Sequence, residues 1–465
     1  MKKKEELFYL IKSLSKSEKR YFKLDVAGVS EAEYLALFQA IEAQSTYDEE
    51  EIKEMFRNRK FVLQLTTIKN YLKNRILLSL RNYHSRISVN AELLDIIRNI
   101  EILFHKGLYT LCESELKRAE KKAELFQHHL WLFHIQDWKR KVHQALHPQD
   151  FERMKDIVSE QKKALESTTD YIELLLANID PGKFSLTHKS STSLHNKTLE
   201  MLYLFRKQLS LGNSKEAKRI IGDILEEWES EPILFREYFI TYFSVCNTYI
   251  AFLLFEGSYE IATERIRKLK RQSSGIRPVS AALIKEKLRL YNIELEICRD
   301  LKRVDIFEEI IAEIRTFTED HKDLIPHNYW LSFRFQFAYL YFLKGDHRFC
   351  LKWVNHILNH HSRNDRKDLI RYTYWLNLLL HYERENVFVI RHLIDAMKRY
   401  LKNQKNIASY EKKLLYFLSK TVGYPSKEKQ EAFKKLEKDL VEDPIPKEIL
   451  GYIDFNLWIK GKLEG

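Results

Sequence analysis

Phe104-His105-Lys106-Gly107-Leu108-Tyr109-Thr110-Leu111-Cys112 returns in outline as Leu254-Phe255-Glu256-Gly257-Ser258-Tyr259-Glu260-Ile261-Ala262. Two further copies are Phe342-x-x-Gly345-x-His347-x-x-Cys350 and Leu209-x-x-Gly212-x-Ser214-x-x-Ala217, and a glycine-free copy reads as His381-x-x-Arg384-x-Asn386-x-x-Val389. A small or apolar residue lies seven positions past each: Ala119, Leu269, Ile357, Ile224 and Ala396. The spacing has a physical reading. Glycine adopts the left-handed conformation that ends one helix, and a second, antiparallel helix starts at once. A small residue five positions past the glycine lets the two helices approach, and the position two turns on keeps to the same face. Gly212 to Gly257 spans about 45 residues and Gly257 to Gly345 about twice that, a helical-repeat period that places an unmarked hairpin near Lys302.

Composition agrees with an all-α chain. Glycine and proline number 12 and 8 in 465 residues, too few for the turns that β-rich folds need. With 45% hydrophobic residues the chain can bury an extensive core and exceeds one compact domain. The first ninety residues hold three Ser/Thr-x-x-Glu capping signals, Ser15–Glu18, Ser30–Glu33 and Thr46–Glu49, implying four helices. The last is expected over about 60–83, with Phe61, Leu65, Ile68, Leu72, Ile76 and Tyr83 on one stripe. The organisation expected is an N-terminal helical domain over 1–88 and a solenoid of helical hairpins over 89–465. A polar break lies near 178–196, and a C-terminal capping helix carries Ile449, Tyr452, Ile453, Phe455, Leu457 and Trp458.

These hairpins resemble the tetratricopeptide-repeat superfamily over roughly residues 91 to 400. The resemblance implies a TPR-like right-handed superhelix with a concave groove for a peptide or protein. The repeats here are longer than that family's unit, and its closing proline is mostly missing. The opening Leu10-Ile11-Lys12-Ser13-Leu14-Ser15-Lys16-Ser17-Glu18-Lys19-Arg20-Tyr21-Phe22-Lys23 is similar to that of proteins from bacteria of the Bacteroidota phylum, a likeness that supplies no functional residue.

Cys112, Cys246, Cys298 and Cys350 are far apart and read as core residues, not a disulfide framework or zinc site. The charged start Met1-Lys2-Lys3-Lys4-Glu5-Glu6 is unlike a secretory leader, so a cytoplasmic location is expected. The uncharged run Tyr238 to Phe255 contains Thr241, Ser244, Asn247 and Thr248 and reads as a buried helix, with no membrane span. No phosphate-loop, dinucleotide, nucleophile-elbow or zinc-protease signature occurs, so no catalytic residue and no cofactor are expected. His143 with His147 and His356 with His360 have metal-ligand spacing but lack an evident third ligand, so no metal is expected either.

A net charge of +12 raises the question of phosphate-bearing partners. The densest basic runs are Arg265–Arg271, with Ile266 and Leu269 turned inward, Lys117–Lys122 and Lys139–Lys141. All read as solvated helix faces. A candidate helix-turn-helix over 48–83 would set Arg57, Arg59, Lys60, Lys69 and Lys73 toward nucleic acid, with Thr66, Thr67, Asn70 and Asn74 in the groove. Against it, Leu63, Leu77 and Leu78 suggest that both flanks of that helix pack. Partner-binding candidates are polar residues within apolar first helices: Asn247, Arg334 and Asn377. Arg334, among Trp330, Phe333, Phe335 and Phe337, requires a carboxylate or phosphate, internal or from a ligand. The expected function is a non-enzymatic scaffold or adaptor for a protein or peptide. The alternative is a DNA-binding transcriptional regulator with a solenoid sensor region.

Overall fold

A computed structural model describes residues 5–26, 32–180, 193–276, 279–303, 305–362, 366–403 and 407–464. The described residues form helices joined by turns, with no strand. They form two compact units, 1–242 and 243–465.

The first unit opens with α1 (Glu6–Ser13), α2 (Lys16–Asp25), α3 (Ala32–Ala43), α4 (Glu49–Met55) and α5 (Leu65–Tyr83). Ile11, Phe22, Leu37, Phe38, Ile41, Leu72 and Ile76 are sealed in their shared core. The Ser15 box forms as expected: Ser15 Oγ accepts from Glu18 N at 3.2 Å, and Ser15 N donates to Glu18 Oε2 at 2.6 Å. The Thr46 signal is displaced. Asp48 caps α4 instead, its carboxylate accepting from Glu50 N and Glu51 N, because an aspartate two residues nearer the helix reaches the free N–H groups directly. Ser30 lies outside the described residues. The expected helix over 60–83 begins as a 3-10 turn, Lys60–Gln64, and Tyr83 at its end is exposed. The unit continues with α6 (Val89–His105), α7 (Tyr109–Leu125), α8 (His129–Leu146), α9 (Phe151–Ile179), α10 (Leu194–Ser210), α11 (Ser214–Ser230) and α12 (Pro232–Glu237). Most of the expected polar break, 181–192, is likewise outside the described residues.

Helix α13 (Phe239–Phe255) crosses the boundary between units. The second unit contains α14 (Tyr259–Ser274), α15 (Ala281–Asp300), α16 (Phe307–Asp320), α17 (His327–Lys344), α18 (His347–His360), α19 (Lys367–Glu383) and α20 (Val387–Asn403). After these come α21 (Ser409–Thr421), α22 (Ser426–Glu442), α23 (Lys447–Leu450) and α24 (Phe455–Glu464). Among the described residues no helix is long and apolar enough to cross a membrane.

The turn read from sequence recurs with one hydrogen-bond pattern. At Gly257, φ is +72°, Gly257 N donates to Leu254 O at 3.0 Å, and Ser258 N donates to Leu253 O at 2.8 Å. This is the Schellman cap, which satisfies carbonyls left over at a helix end. It repeats at Gly107, Gly212 and Gly345, and also at Gln127, Lys302 and Glu385, which hold φ near +50° without being glycine. The unmarked hairpin thus turns at Lys302 (φ 51°). The glycine-free copy shifts by one residue. Glu385, not Arg384, is left-handed, and the buried positions are Ile390 and Met397, both 0% exposed, while Val389 is 42% exposed. Without glycine nothing in the sequence anchors the register. Hydrophobic burial fixes it.

In the second unit the left-handed residues are 257, 302, 345, 385 and 423, so successive turns are 45, 43, 40 and 38 residues apart. Side chains of alternate helices join at the same interval. Ser332 Oγ and Gln336 Nε2 donate to Asn292 Oδ1 at 2.9 and 3.0 Å, across 40 and 44 positions. Arg289 reaches Thr248 Oγ1 at 3.2 Å across 41.

The C-terminal helix is broken. Gly451–Asp454 separates α23 from α24, placing Tyr452 in the break rather than on a continuous helix. Ile453, Phe455, Trp458 and Ile459 nevertheless seal into the core of the second unit.

Candidate functional site

Of the three partner-binding candidates, two face inward. Asn247 is 0% exposed, and its Nδ2 donates to Glu286 O at 3.0 Å and Glu286 Oε2 at 2.8 Å. Asn377 is buried, with an unpartnered Oδ1. Arg334 differs. Its guanidinium is half-buried on α17, stacks on the Trp330 ring at 5.6 Å, and meets no hydrogen-bond acceptor or carboxylate among the described residues. Desolvation pushes its pKa down, whereas an ion pair would push it up.

The surroundings of Arg334 are rich in donors. The α17–α18 hairpin sets it beside His356, whose pKa is lowered first by burial and also by the positive charge of Arg334. The His356 and His360 rings lie 4.6 Å apart at a tilt, and among the described residues His356 Nδ1 and, one turn earlier, Trp353 Nε1 are buried without a partner. The guanidinium is the fixed positive charge here, and the Trp353 indole N–H can only donate. No group of three His, Cys, Asp or Glu side chains suited to a metal occurs among the described residues. His143 and His147 lie 5.3 Å apart, with Asp150 Oδ2 at 3.4 Å from His143 Nε2.

The cations read as nucleic-acid contacts divide. Lys69 Nζ donates to Tyr47 OH at 2.6 Å and Glu49 Oε2 at 2.9 Å, and its side chain is 12% exposed. Lys73 pairs with Glu6 at 3.2 Å and Arg57 with Glu54 at 2.9 Å. Arg59 and Lys60 are exposed. The packing expected at Leu63, Leu77 and Leu78 is absent among the described residues: Leu63, in the 3-10 turn before α5, is 90% exposed, and on α5 Leu77 is 47% and Leu78 37% exposed. Hydrophobic residues do occupy open surface, and periodicity cannot tell such a face from a covered one.

Several cations of the basic runs are paired locally. Lys270 bridges Glu294 and Glu313 at 2.7 Å each, Lys139 meets Glu120 at 2.5 Å, and Arg140 and Lys141 share Asp137. All four cysteines are buried and in no disulfide, and burial raises the thiols of Cys112, Cys298 and Cys350, suppressing the reactive thiolate.

One cluster escaped the sequence reading. In the first unit His195 packs edge-on to Tyr238 at 4.2 Å, with His128 at 5.7 Å from the same ring. Burial first, and then the charges of His128 and His129, hold His195 down to about 4. Adjacent His128-His129 at a helix start was the available signal, but His195 joins them only through folding.

No family model, curated protein or solved structure matches the chain.

Proposed function

We propose that this chain is a non-enzymatic scaffold whose hairpins stack as a TPR-like α-solenoid, and that it captures a protein or peptide through an anionic group received by Arg334. The near-constant spacing of turns in the second unit and its side-chain links across about forty residues support the stacking. One observation carries the binding role: Arg334 alone among the three candidates is partly open, and its half-buried charge has no mate among the described residues. Arg371 on α19 makes the contrast, its guanidinium forked onto buried Glu411. A cation kept desolvated and unpaired is costly unless a ligand compensates it.

The test compares tagged wild-type chain and Arg334→Ala recovered from native cells at low and high salt. A discrete protein that survives high salt with the wild type and is lost with the variant, at unchanged thermal stability, is the expected result. Identical proteins on both would remove Arg334 from the binding surface.

The second reading, a DNA-binding regulator, draws on the open face of α5 with Arg59 and Lys60 nearby. Internal pairing of Lys69 and Lys73 weighs against it, because phosphate contacts require available cations. Nucleic acid abundant at low salt and lost at high salt would favour this reading.

A further inference from the structure

The segment 447–464 does not continue the series of hairpins. After α22, Asp443-Pro444-Ile445-Pro446 carries the chain without helix, and it then runs back across α15, α17, α19 and α21. Prolines enforce the break, since neither can donate a backbone hydrogen bond.

The face it covers belongs to the first helices of the hairpins. On α17, Phe337 and Tyr341 meet α18 through Trp353 at 5.3 Å and Phe349 at 5.1 Å. Phe335 and Tyr339 lie on another flank: Phe335 is 6.4 Å from the Tyr452 ring, and Tyr339 OH accepts from Asp454 N at 2.9 Å. On α19, Tyr374 meets Tyr400 of α20, while Tyr372, Trp375 and Tyr382 form a separate stripe. That stripe receives Tyr452 at 4.5 Å, Phe455 at 5.5 Å and Trp458 at 5.8 Å. Polar anchors flank the aromatics. Tyr452 OH donates to Asp368 Oδ2 at 2.6 Å, and Glu383 takes Trp458 Nε1 at 2.7 Å and Lys462 Nζ at 2.5 Å.

Helix α24 is one-sided. Phe455, Trp458 and Ile459 are buried while Asn456, Lys460 and Glu464 are exposed. This is how an amphipathic helix lies in a groove, with anchors at helical spacing. We propose that this face is a helix-binding groove and that segment 447–464 is its resident intramolecular ligand. The partner it fits is an amphipathic helix with one aromatic residue, a second three positions on, and a cation four further, as in Phe455, Trp458 and Lys462. The proposal rests on the scaffold reading but names a different flank of α17 from that of Arg334. A partner reaches this face by displacing the segment, whose tether gives it a high effective concentration.

The experiment inserts a protease site between Glu442 and Asp443 of the full chain, cleaves it, and follows uptake of a labelled synthetic peptide of residues 447–465 by anisotropy. Cleaved protein is expected to exchange its fragment for the label while uncut protein takes up none at the same concentration. A Trp458→Ala peptide should compete about thirtyfold or more weakly, the loss typical of a buried aromatic anchor. As a second route, uncut protein carrying Trp458→Ala and Lys462→Ala, folded by circular dichroism, should admit the wild-type peptide. The proposal is overturned if the cleaved fragment leaves only together with the cooperative thermal transition, or if the folded double variant admits no peptide. Cleaved Arg334→Ala should exchange normally, so loss of the Arg334 reading and loss of this one are separable.

Discussion

Replacing Arg334 and Arg371 each by methionine removes one guanidinium and keeps an apolar stem of similar length, so the two variants differ in what the charge was doing. At Arg371 the partner is Glu411, 0% exposed, which also accepts from Trp375 Nε1 at 3.0 Å and Ala408 N at 3.1 Å. Methionine there leaves a buried carboxylate with two neutral donors. Breaking a buried pair costs about 3–5 kcal/mol, and the remaining donors place this variant near the lower end. At Arg334 no carboxylate among the described residues is orphaned. The variant loses a stacking contact with Trp330 of about 0.5–1 kcal/mol and is relieved of an uncompensated desolvation, which acts in the opposite direction, so any loss of stability stays within about 1 kcal/mol. Urea titrations followed by far-UV ellipticity and tryptophan fluorescence measure both, with each transition fitted separately because the chain has two units. A loss above about 2 kcal/mol for Arg334→Met, or below about 1 kcal/mol for Arg371→Met, would refute the contrast on which the binding role of Arg334 rests.

Three further outcomes are expected. His195 sits near 4 in the folded chain against about 6.5 unfolded, so the unfolded state binds more protons between those values. The first unit should be fully stable above pH 6.5 and lose up to about 3 kcal/mol as pH falls toward 4. His195→Gln should flatten that slope in pH-dependent urea melts. Lys302 holds φ 51° without being glycine, so Lys302→Gly should raise the thermal midpoint of the second unit by the equivalent of about 0.5–1 kcal/mol. Gly345→Ala, at φ +79°, should lower it by a similar amount, and opposite signs would overturn the cap assignment. Lys69→Ala should destabilise the N-terminal helices by about 1 kcal/mol because Glu49 and Tyr47 lose a partner, whereas Arg59→Ala should leave stability unchanged. Equal effects in chemical denaturation would show that Lys69 is not structural.

Sequence alone determined the helical class and most hairpin turns. Scarce glycine, placed where a helix must reverse, marks Gly107, Gly212, Gly257 and Gly345, and the buried residues five and twelve positions on follow by helical periodicity. It also located Lys302, because the turn spacing is kept even where the glycine is absent. Tertiary structure decided what periodicity cannot carry. The register at Glu385 depends on which of two neighbouring stripes is buried, and the exposure of Leu63, Leu77 and Leu78 depends on whether another element arrives to cover them. The state of each charge is likewise non-local. Lys73 finds Glu6 across 67 positions and Arg371 finds Glu411 across 40, while Arg334 finds no acceptor among the described residues, because ion pairing is set by three-dimensional proximity and not by chain order. The return of residues 447–464 across α17 and α19 is the extreme case: Tyr452, Phe455 and Trp458 advertise a helix that must be buried, and only the folded first helices specify where.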